Sequence, residues 1–278
     1  MGLVDSHTHL GNRRFADDLE GVLIRARAAG VAAMVVPAVD LVNAREVLEI
    51  AESEADVFAA VGIHPCDVDS VTGEGWVEEL RELARHPKVV ALGETGLDYF
   101  HAPPEGFSVE AWRAWQKRVL RLHLEVAVET GLPVVLHNRE SWEDLVAEVT
   151  PFHGRVRAQF HCFTGTLEEA RPLLEAGHVI SFTGIVTFKN PGNMAAVAAA
   201  VPAGCYMLET DAPYLAPMPH RGTRCEPGYV RETAMKVAAL RGETLEQVVE
   251  ETGGTARGVF GGALLPERGV ESREREVG

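Results

Sequence analysis

Short apolar runs rich in β-branched residues alternate along the chain with longer amphipathic stretches. The runs at residues 89–92 and 132–136 are hydrophobic throughout, which is typical of parallel strands that helices cover on both faces. Eight strands are predicted, at residues 3–9, 31–37, 57–64, 89–94, 133–137, 156–161, 178–182 and 205–209. Eight strands alternating with helices in a chain of this length favour an α/β fold, a single-domain TIM (β/α)₈ barrel. Because periodicity does not show closure, an open doubly wound sheet is the alternative.

The stretch between the fourth and fifth strands predicts a helix over residues 109–130. Apolar residues, among them Trp112, Val119 and Val126, recur there every three or four positions, and Gly131 ends the helix. We interpret the aromatic residues as core residues rather than cofactor contacts. His123, on the same stretch, is interpreted as a packing or surface residue rather than a ligand.

The composition limits the classes of protein to which the chain can belong. A chain of 278 residues, 46% of them apolar, can bury a large core, so one compact domain over residues 1–265 is expected. The formal net charge of −15 disfavours a broad nucleic-acid groove, which would be rich in Lys and Arg. Bound divalent cations could still hold a nucleic acid locally, because they reverse the local potential. The charged tail at residues 266–278 is predicted to be solvated and disordered.

Cysteine usage and hydropathy indicate a cytoplasmic protein. The four cysteines are scattered without a Cys-x-x-Cys pair, which favours reduced thiols. No stretch reaches the roughly 18 apolar residues of a membrane span, so no membrane association is expected. Thr-Gly-Gly-Thr at residues 252–255 lacks the Lys-Ser or Lys-Thr of a phosphate-binding loop, so no nucleotide cofactor is predicted. The sequence leaves the oligomeric state open.

The predicted strands end in side chains that can bind metal. The strand period of two turns His7 and His9 to one face, so both imidazoles can reach a single cation. Four further candidates stand at the ends of strands four, five, six and eight: Glu94, His137, His161 and Asp211. Because the carboxyl ends of parallel strands in β/α folds converge on one rim, we expect these groups to meet there.

Two divalent metal ions are the predicted cofactors. Buried imidazoles and carboxylates are costly without partners, and metal ions supply partners. Six potential ligands exceed the four of a usual zinc site, and a carboxylate such as Glu94 can bridge two ions. Imidazole with carboxylate suits Zn or Mn, whereas Mg prefers oxygen, so the identity of the ions stays open among Mg, Mn and Zn. The natural use of such a pair is hydrolysis of a phosphate ester by an activated water.

Three further residues are candidates for substrate binding. His64 contacts substrate or, taken alone, is a packing residue behind the ligands. Arg139, next to His137, suits a phosphate group or pairs with a helix carboxylate. Arg221, on a loop after strand eight, contacts phosphate or faces water, and solvated charge is the simpler interpretation.

Seven motifs in fixed order resemble those of the TatD-like metal-dependent deoxyribonucleases and hydrolases of the amidohydrolase superfamily. They are His-x-His at 7–9, Gly-Ile-His-Pro at 62–65, Gly-Glu-Thr-Gly-Leu-Asp-Tyr at 93–99, Leu-His-x-Arg at 136–139, His-Cys-Phe-Thr-Gly at 161–165, Glu-Thr-Asp-Ala-Pro-Tyr-Leu at 209–215 and Arg-Gly-x-Arg-x-Glu-Pro at 221–227. As an ordered set spanning nearly the whole chain, they are far more specific than any one of them.

The resemblance implies a TIM barrel with two metal sites that share Glu94. One metal is held by His7, His9, Glu94 and Asp211, and the other by Glu94, His137 and His161. It further implies that Asp211, with Glu94, is catalytic and orients or deprotonates the nucleophilic water. His64 and Arg139 are implied to contact substrate phosphate.

The implied activity is that of a deoxyribonuclease, a phosphodiesterase with 3′ to 5′ exonuclease action on single-stranded or frayed DNA ends. The alternative is a two-metal hydrolase of another ester or amide bond, such as one that removes D-amino acids from tRNA; a non-catalytic binding protein is a third possibility. The chain departs from the family pattern at Cys225 and Thr255, where Asn is usual. Cys225 bears on contacts of the substrate loop, because a thiol is a far weaker hydrogen-bond partner than an amide.

Overall fold

Eight parallel strands follow one another around a single sheet in the order of the chain, β1 to β8, in a computed structural model that describes residues 2–261 and Leu264. The strands are β1 Leu3–Asp5, β2 Val31–Pro37, β3 Val57–Val61, β4 Val89–Asp98, β5 Val134–Arg139, β6 Ala158–Phe160, β7 Val179–Phe182 and β8 Tyr206–Leu208. The eight predicted strands are therefore confirmed. The predicted tail at residues 266–278 lies outside the described residues.

Helices cover the outside of the sheet. They are α1 Leu19–Ala28, α2 Leu41–Ser53, α3 Trp76–Leu83, α4 Val109–Thr130, α5 Trp142–Val149, α6 Leu167–Glu175, α7 Met194–Ala200, α8 Val230–Arg241 and α9 Leu245–Phe260. The helix predicted over residues 109–130 is confirmed, and Gly131 ends it in the left-handed conformation, with φ of 71°. None of the helices within residues 2–261 is long and apolar enough to cross a membrane.

Backbone hydrogen bonds between the segments that extend β1 and β8 close the sheet into a barrel. Ser6 N–H donates to the carbonyl of Leu208 at 3.0 Å, and Asp211 N–H donates to the carbonyl of His7 at 2.9 Å. The barrel prediction is confirmed, and the open doubly wound sheet is excluded. β1 itself ends at Asp5 rather than at the predicted residue 9; beyond it Thr8 forms an isolated parallel bridge with Ala212 instead of continuing the ladder.

The barrel interior is apolar at one end and polar at the other. Val4, Phe58 and Met207, near the starts of their strands, belong to an inner apolar cluster. Phe260 from α9 and Leu264 complete that cluster. Because apolar side chains fill the amino-terminal end, the polar residues that follow the strands gather at the carboxyl-terminal end.

Candidate metal centre

The six predicted ligands meet at the carboxyl-terminal end of the barrel. A cleft of about 860 Å³ there is lined by several of them, namely His9, Glu94, His137, His161 and Asp211. His7 is fully buried beneath the cleft. Glu94 and His137 lie within β4 and β5, and the others lie just past the ends of β1, β6 and β8.

One group of potential metal-ligand atoms surrounds Oε2 of Glu94. The Nε2 atoms of His7 and His9 are 3.2 Å apart, and Glu94 Oε2 lies 3.2 Å and 3.6 Å from them. Asp211 Oδ1 lies 3.8 Å from His7 Nε2 and 3.4 Å from His9 Nε2. Four nitrogen and oxygen atoms, from β4 and from the segments that follow β1 and β8, thus converge at the spacing of ligands around one cation.

A second group surrounds the other oxygen of the same carboxylate. Glu94 Oε1 lies 2.8 Å from His137 Nδ1 and 3.1 Å from His161 Nε2. The two oxygens of Glu94 therefore face different groups, which is the arrangement of a carboxylate that bridges two ions. Imidazole nitrogens with carboxylate oxygens are the ligands of borderline divalent cations, so the residues present fit a pair of such ions.

His64 lies within this second group rather than behind it. Its Nε2 is 3.2 Å from His137 Nδ1 and 3.8 Å from Glu94 Oε1. The backbone N–H of Cys66 donates to His64 Nδ1 at 3.1 Å. This bond places the proton of the neutral imidazole on Nε2, so the atom that faces the centre is a hydrogen-bond donor.

Two carboxylates that the sequence analysis did not single out contact the candidate ligands from behind. Asp98 Oδ2 lies 3.2 Å from His137 Nε2, and Glu209 Oε1 lies 3.4 Å from His161 Nδ1. Both carboxylates are buried, and Glu209 also accepts a hydrogen bond from Gln159 Nε2 at 2.9 Å. Carboxylates behind ligand histidines fix the ring orientation and raise the basicity of the ligand nitrogen. The sequence feature that could have indicated these two residues is that Asp98 lies in the motif at residues 93–99 and Glu209 in the motif at residues 209–215.

The turn that carries Asp211 is held in an uncommon backbone conformation. Asp211 has φ of 56°, in the left-handed region that side-chain-bearing residues rarely adopt. The buried carboxylate of Asp5 accepts hydrogen bonds from Thr210 N at 2.9 Å and Thr210 Oγ1 at 2.6 Å. Asp5 therefore ties β1 to this turn, and strain of this kind is typical of functional sites.

The electrostatics of the cluster favour ionised carboxylates. Burial alone would raise the pKa of Glu94, but the imidazoles of His161 and His7 hold that pKa well below its usual range. Burial likewise opposes ionisation of Asp211, whose pKa is nevertheless lowered by the hydrogen bond from His9 and the charge of His161. Both groups are thus deprotonated at neutral pH, as metal ligands have to be.

The remaining substrate candidates differ in position. Arg139 lines the cleft with its guanidinium 3.9 Å from the centroid of the Phe100 ring, and no carboxylate of the described residues forms an ion pair with it. Of the two interpretations of Arg139, pairing with a helix carboxylate is therefore not observed. Arg221 packs over the ring of Phe188 at 4.1 Å and is not among the residues lining the cleft. The thiol of Cys225 is fully buried, so this residue does not contact substrate directly.

A closed β/α barrel whose carboxyl rim carries clustered imidazoles and carboxylates defines a class, the metal-dependent hydrolases. The family model described as TatD related DNase matches residues 4–261. The chain belongs to this family, and it is a metal-dependent hydrolase. The family resemblance drawn from the motifs is confirmed.

Individual relatives match over almost their whole length. The uncharacterized metal-dependent hydrolase YabD of Bacillus subtilis is 37% identical over 262 residues, which cover 93% of this chain and 98% of that protein. The 3′-5′ ssDNA/RNA exonuclease TatD of Enterobacter lignolyticus is 34% identical over 271 residues, covering 94% of this chain and 100% of that protein. The crystal structure of YjjV, a TatD homolog from Escherichia coli K12, superposes with a TM-score of 0.84 at 28% identity and covers 93% of this chain and 97% of that one.

Proposed function

We propose that the chain is a two-metal phosphodiesterase that removes nucleotides from the 3′ ends of single-stranded DNA. The observation that carries the proposal is Glu94, whose two oxygens face two separate groups of ligand atoms. A relative 34% identical to this chain is named as a 3′-5′ ssDNA/RNA exonuclease, which supports the substrate class. The candidate ligands line a cleft at the end of the barrel, which an unpaired strand end enters more readily than the middle of a duplex.

The proposed ligands divide between two divalent ions, Mg, Mn or Zn. His7, His9, Glu94 and Asp211 would hold one ion, and Glu94, His137 and His161 would hold the other. Such ions supply Lewis-acid polarisation of a phosphate and lower the pKa of a water.

The protein side chains orient the reactants and move the proton. The ionised carboxylate of Asp211, on the cleft wall, orients the attacking water and accepts its proton. The Nε2–H of His64 and the guanidinium of Arg139 donate hydrogen bonds to oxygens of the scissile phosphate. Arg221, further out, contacts phosphate of a longer strand.

Two exposed aromatic residues near the cleft suit unpaired bases. Phe100 is 53% exposed and stacks with Arg139, and Tyr214, which lines the cleft, is 48% exposed. Stacking of a base on an aromatic ring contributes about 1–3 kcal/mol and tolerates any sequence. These rings therefore favour a single strand, whose bases are free to stack, over a paired duplex.

A labelled oligonucleotide tests the proposal. A single strand labelled at its 5′ end, supplied with Mg²⁺, Mn²⁺ or Zn²⁺, should shorten stepwise, whereas the same strand blocked at its 3′ end should persist. The matched control is Glu94→Gln, which keeps the size of the side chain but removes its charge, and we expect at least about a 100-fold loss of rate. Intact DNA with every ion, alongside turnover of an aminoacyl-tRNA or a simple ester, would exclude the nuclease and favour the other hydrolysis.

A further inference from the structure

A third cluster of ligand atoms lies in the same cleft, next to the candidate metal centre. It consists of Cys66 in the short 3₁₀ helix Pro65–Ser70, Asp98 at the end of β4, and His101 in the loop that follows. His101 Nδ1 lies 2.9 Å from Asp98 Oδ2 and 3.5 Å from Cys66 Sγ. We call these three residues the thiol triad. No role in the proposed phosphodiester cleavage falls to its thiol or its imidazole.

Hydrogen bonds to the surrounding backbone hold the residues of the triad in place. The side chain of Gln116, fully buried on α4, accepts a hydrogen bond from Asp98 N at 3.0 Å and donates to Pro65 O at 3.0 Å. One amide thus fixes the residue before Cys66 and the backbone of Asp98 together. The other carboxylate oxygen, Asp98 Oδ1, accepts from the backbone N–H of His101 at 2.9 Å, which holds the loop in place.

We infer that the thiol triad is a third cation site, selective for zinc-type ions. Sulfur, carboxylate oxygen and imidazole nitrogen are the ligand set of Zn²⁺, and the three atoms lie within 4.8 Å of one another. Three protein ligands would leave one coordination position for water, and all three residues line the cleft. Mg²⁺ prefers oxygen ligands and does not compete for a thiolate, so the triad separates zinc from magnesium.

Binding at the triad exchanges a proton for a cation. Burial, together with the carboxylates of Asp98 and Asp67, raises the pKa of the Cys66 thiol to about 12, so the free thiol keeps its proton. When Zn²⁺ binds, the S–H bond breaks, an S–Zn bond forms and the proton passes to solvent. Occupancy therefore falls as the pH falls.

The triad is also connected to the candidate centre. Asp98 Oδ2, the oxygen that faces His101, lies 3.2 Å from His137 Nε2. A cation on this oxygen competes with the hydrogen bond that orients His137. Zinc beyond the amount that fills the candidate centre should therefore disturb that imidazole, whereas magnesium should not.

Cobalt substitution tests the site by spectroscopy, without any nucleic acid. Co²⁺ bound by nitrogen and oxygen gives only weak visible bands, whereas a thiolate ligand adds an intense near-ultraviolet charge-transfer absorption. We expect this absorption from the full-length protein titrated with Co²⁺ and its loss in Cys66→Ser. It should survive in Cys162→Ser, whose thiol lines the same cleft, and in Cys205→Ser, which lies elsewhere. No absorption in the wild type, or the same absorption in Cys66→Ser, would overturn the inference.

A second measurement keeps the test valid should a variant fold poorly. In the wild-type protein at about pH 9, where the thiolate fraction and hence alkylation are increased, Zn²⁺ added over excess Mg²⁺ should slow alkylation of Cys66 by iodoacetamide, mapped by mass spectrometry. His101→Ala should require at least about ten-fold more Zn²⁺ for the same protection. Alkylation of Cys66 at an unchanged rate would contradict the site. Since neither readout uses DNA, failure here is distinct from failure of the proposed nuclease.

Discussion

At the scale of single residues, Asp211 and His64 lie beside different oxygens of Glu94. Substitutions of these two residues are therefore expected to have different effects on activity. Asp211 Oδ1 belongs to the group at Glu94 Oε2, whereas His64 Nε2 lies 3.8 Å from Glu94 Oε1. The first is an ionised acceptor and the second a neutral donor, so the first suits a water and the second a phosphate oxygen.

Replacement of Asp211 should remove the proposed proton acceptor. We expect Asp211→Ala to lower kcat on single-stranded DNA by about 10²–10⁴-fold, the usual contribution of a general base. Single-turnover rates at saturating metal, with circular dichroism as the check on folding, measure the effect. Metal-dependent turnover at the wild-type rate would remove Asp211 from the catalytic role.

Replacement of His64 should affect substrate handling and leave the metals bound. Because Nδ1 of His64 accepts the N–H of Cys66, its Nε2 carries the proton and does not ligate a metal in that tautomer. His64→Ala should therefore raise KM by about ten-fold, the cost of one hydrogen bond of about 1.4 kcal/mol to a charged group. Elemental analysis should find the wild-type content of divalent ions. Loss of one ion per chain would instead make His64 a ligand.

At the scale of elements, β3, β4 and β5 approach one another too closely for side chains at two glycines. A Cβ atom on Gly62 would lie 2.6 Å from Cα of Gly93, and one on Gly93 would lie 2.6 Å from the carbonyl oxygen of Val135. This close packing sets the position of the residue after Gly93, which is Glu94. The geometry of both ligand groups thus depends on strand packing as well as on the ligands.

Adding a methyl group at Gly62 should therefore displace Glu94 and with it the candidate metal centre. We expect Gly62→Ala to lower the free energy of unfolding by about 1–3 kcal/mol, as overpacking does, and to weaken metal binding as well. The matched control is Gly75→Ala, because Gly75 has φ of −61° and open space around its Cβ position. Urea midpoints and metal titrations compare the two variants; equal behaviour would show that β4 can shift without cost.

The contact between α4 and the end of β3 makes stability depend on pH. His123 is fully buried, its Nε2 accepts the N–H of Ile63 at 3.2 Å, and its Nδ1 donates to the carbonyl of Val119. Burial lowers the pKa of His123 from 6.5 to about 4. Above pH 6.5 the imidazole is neutral in both the folded and the unfolded chain. As the pH falls from 6.5 towards 4, only the unfolded chain takes up the proton, so stability is lost.

The predicted loss can be measured with a variant that does not titrate. The interval from 6.5 to about 4 corresponds to about 3 kcal/mol, at about 1.4 kcal/mol per pH unit. His123→Gln should be less stable at neutral pH but should lose less stability on acidification. His178, whose pKa is also lowered to about 4 by burial, provides the second site for comparison. If the free energies of unfolding of the wild type and of His123→Gln fall by the same amount between pH 7 and pH 4, this account is wrong.

The strands also show which parts of the fold and of the candidate site could be predicted from the sequence alone. Buried parallel strands are largely apolar, so all eight were predictable, but a hydrophobic run does not mark where pairing stops. β4 continues to Asp98, past its apolar part, because Asp98 pairs with Arg139 of β5. The ligand candidates were visible as polar residues at strand ends, whereas the contacts of Asp98 and Glu209 depend on which nitrogen of a distant imidazole they face. Side-chain orientation of that kind is not encoded in spacing.

At the scale of the whole molecule, the chain combines a net charge of −15 with the nucleic-acid substrate that we propose. In the described part of the chain, one residue that lines the cleft is a Lys or Arg, and that residue is Arg139. Attraction for a polyanion would therefore be concentrated in the proposed cations and one guanidinium rather than spread over a basic surface. Binding should involve few phosphates beyond the one that is cleaved.

Because few phosphates are contacted, the affinity for single-stranded DNA should depend only weakly on the salt concentration. For single strands, the slope of log Kobs against log salt is about −0.7 for each phosphate neutralised by Lys or Arg. One or two contacts predict a slope between about −0.7 and −1.4, where a basic groove with six would give about −4. Fluorescence anisotropy with a 3′-blocked oligonucleotide, at a fixed concentration of divalent cation, measures this slope. Arg139→Ala should lower its magnitude by about 0.7, whereas Arg155→Ala, on the exposed loop that precedes β6 at the opposite end of the barrel, should leave it unchanged. A steep slope that persists in Arg139→Ala would mean that DNA binds along a surface outside the cleft.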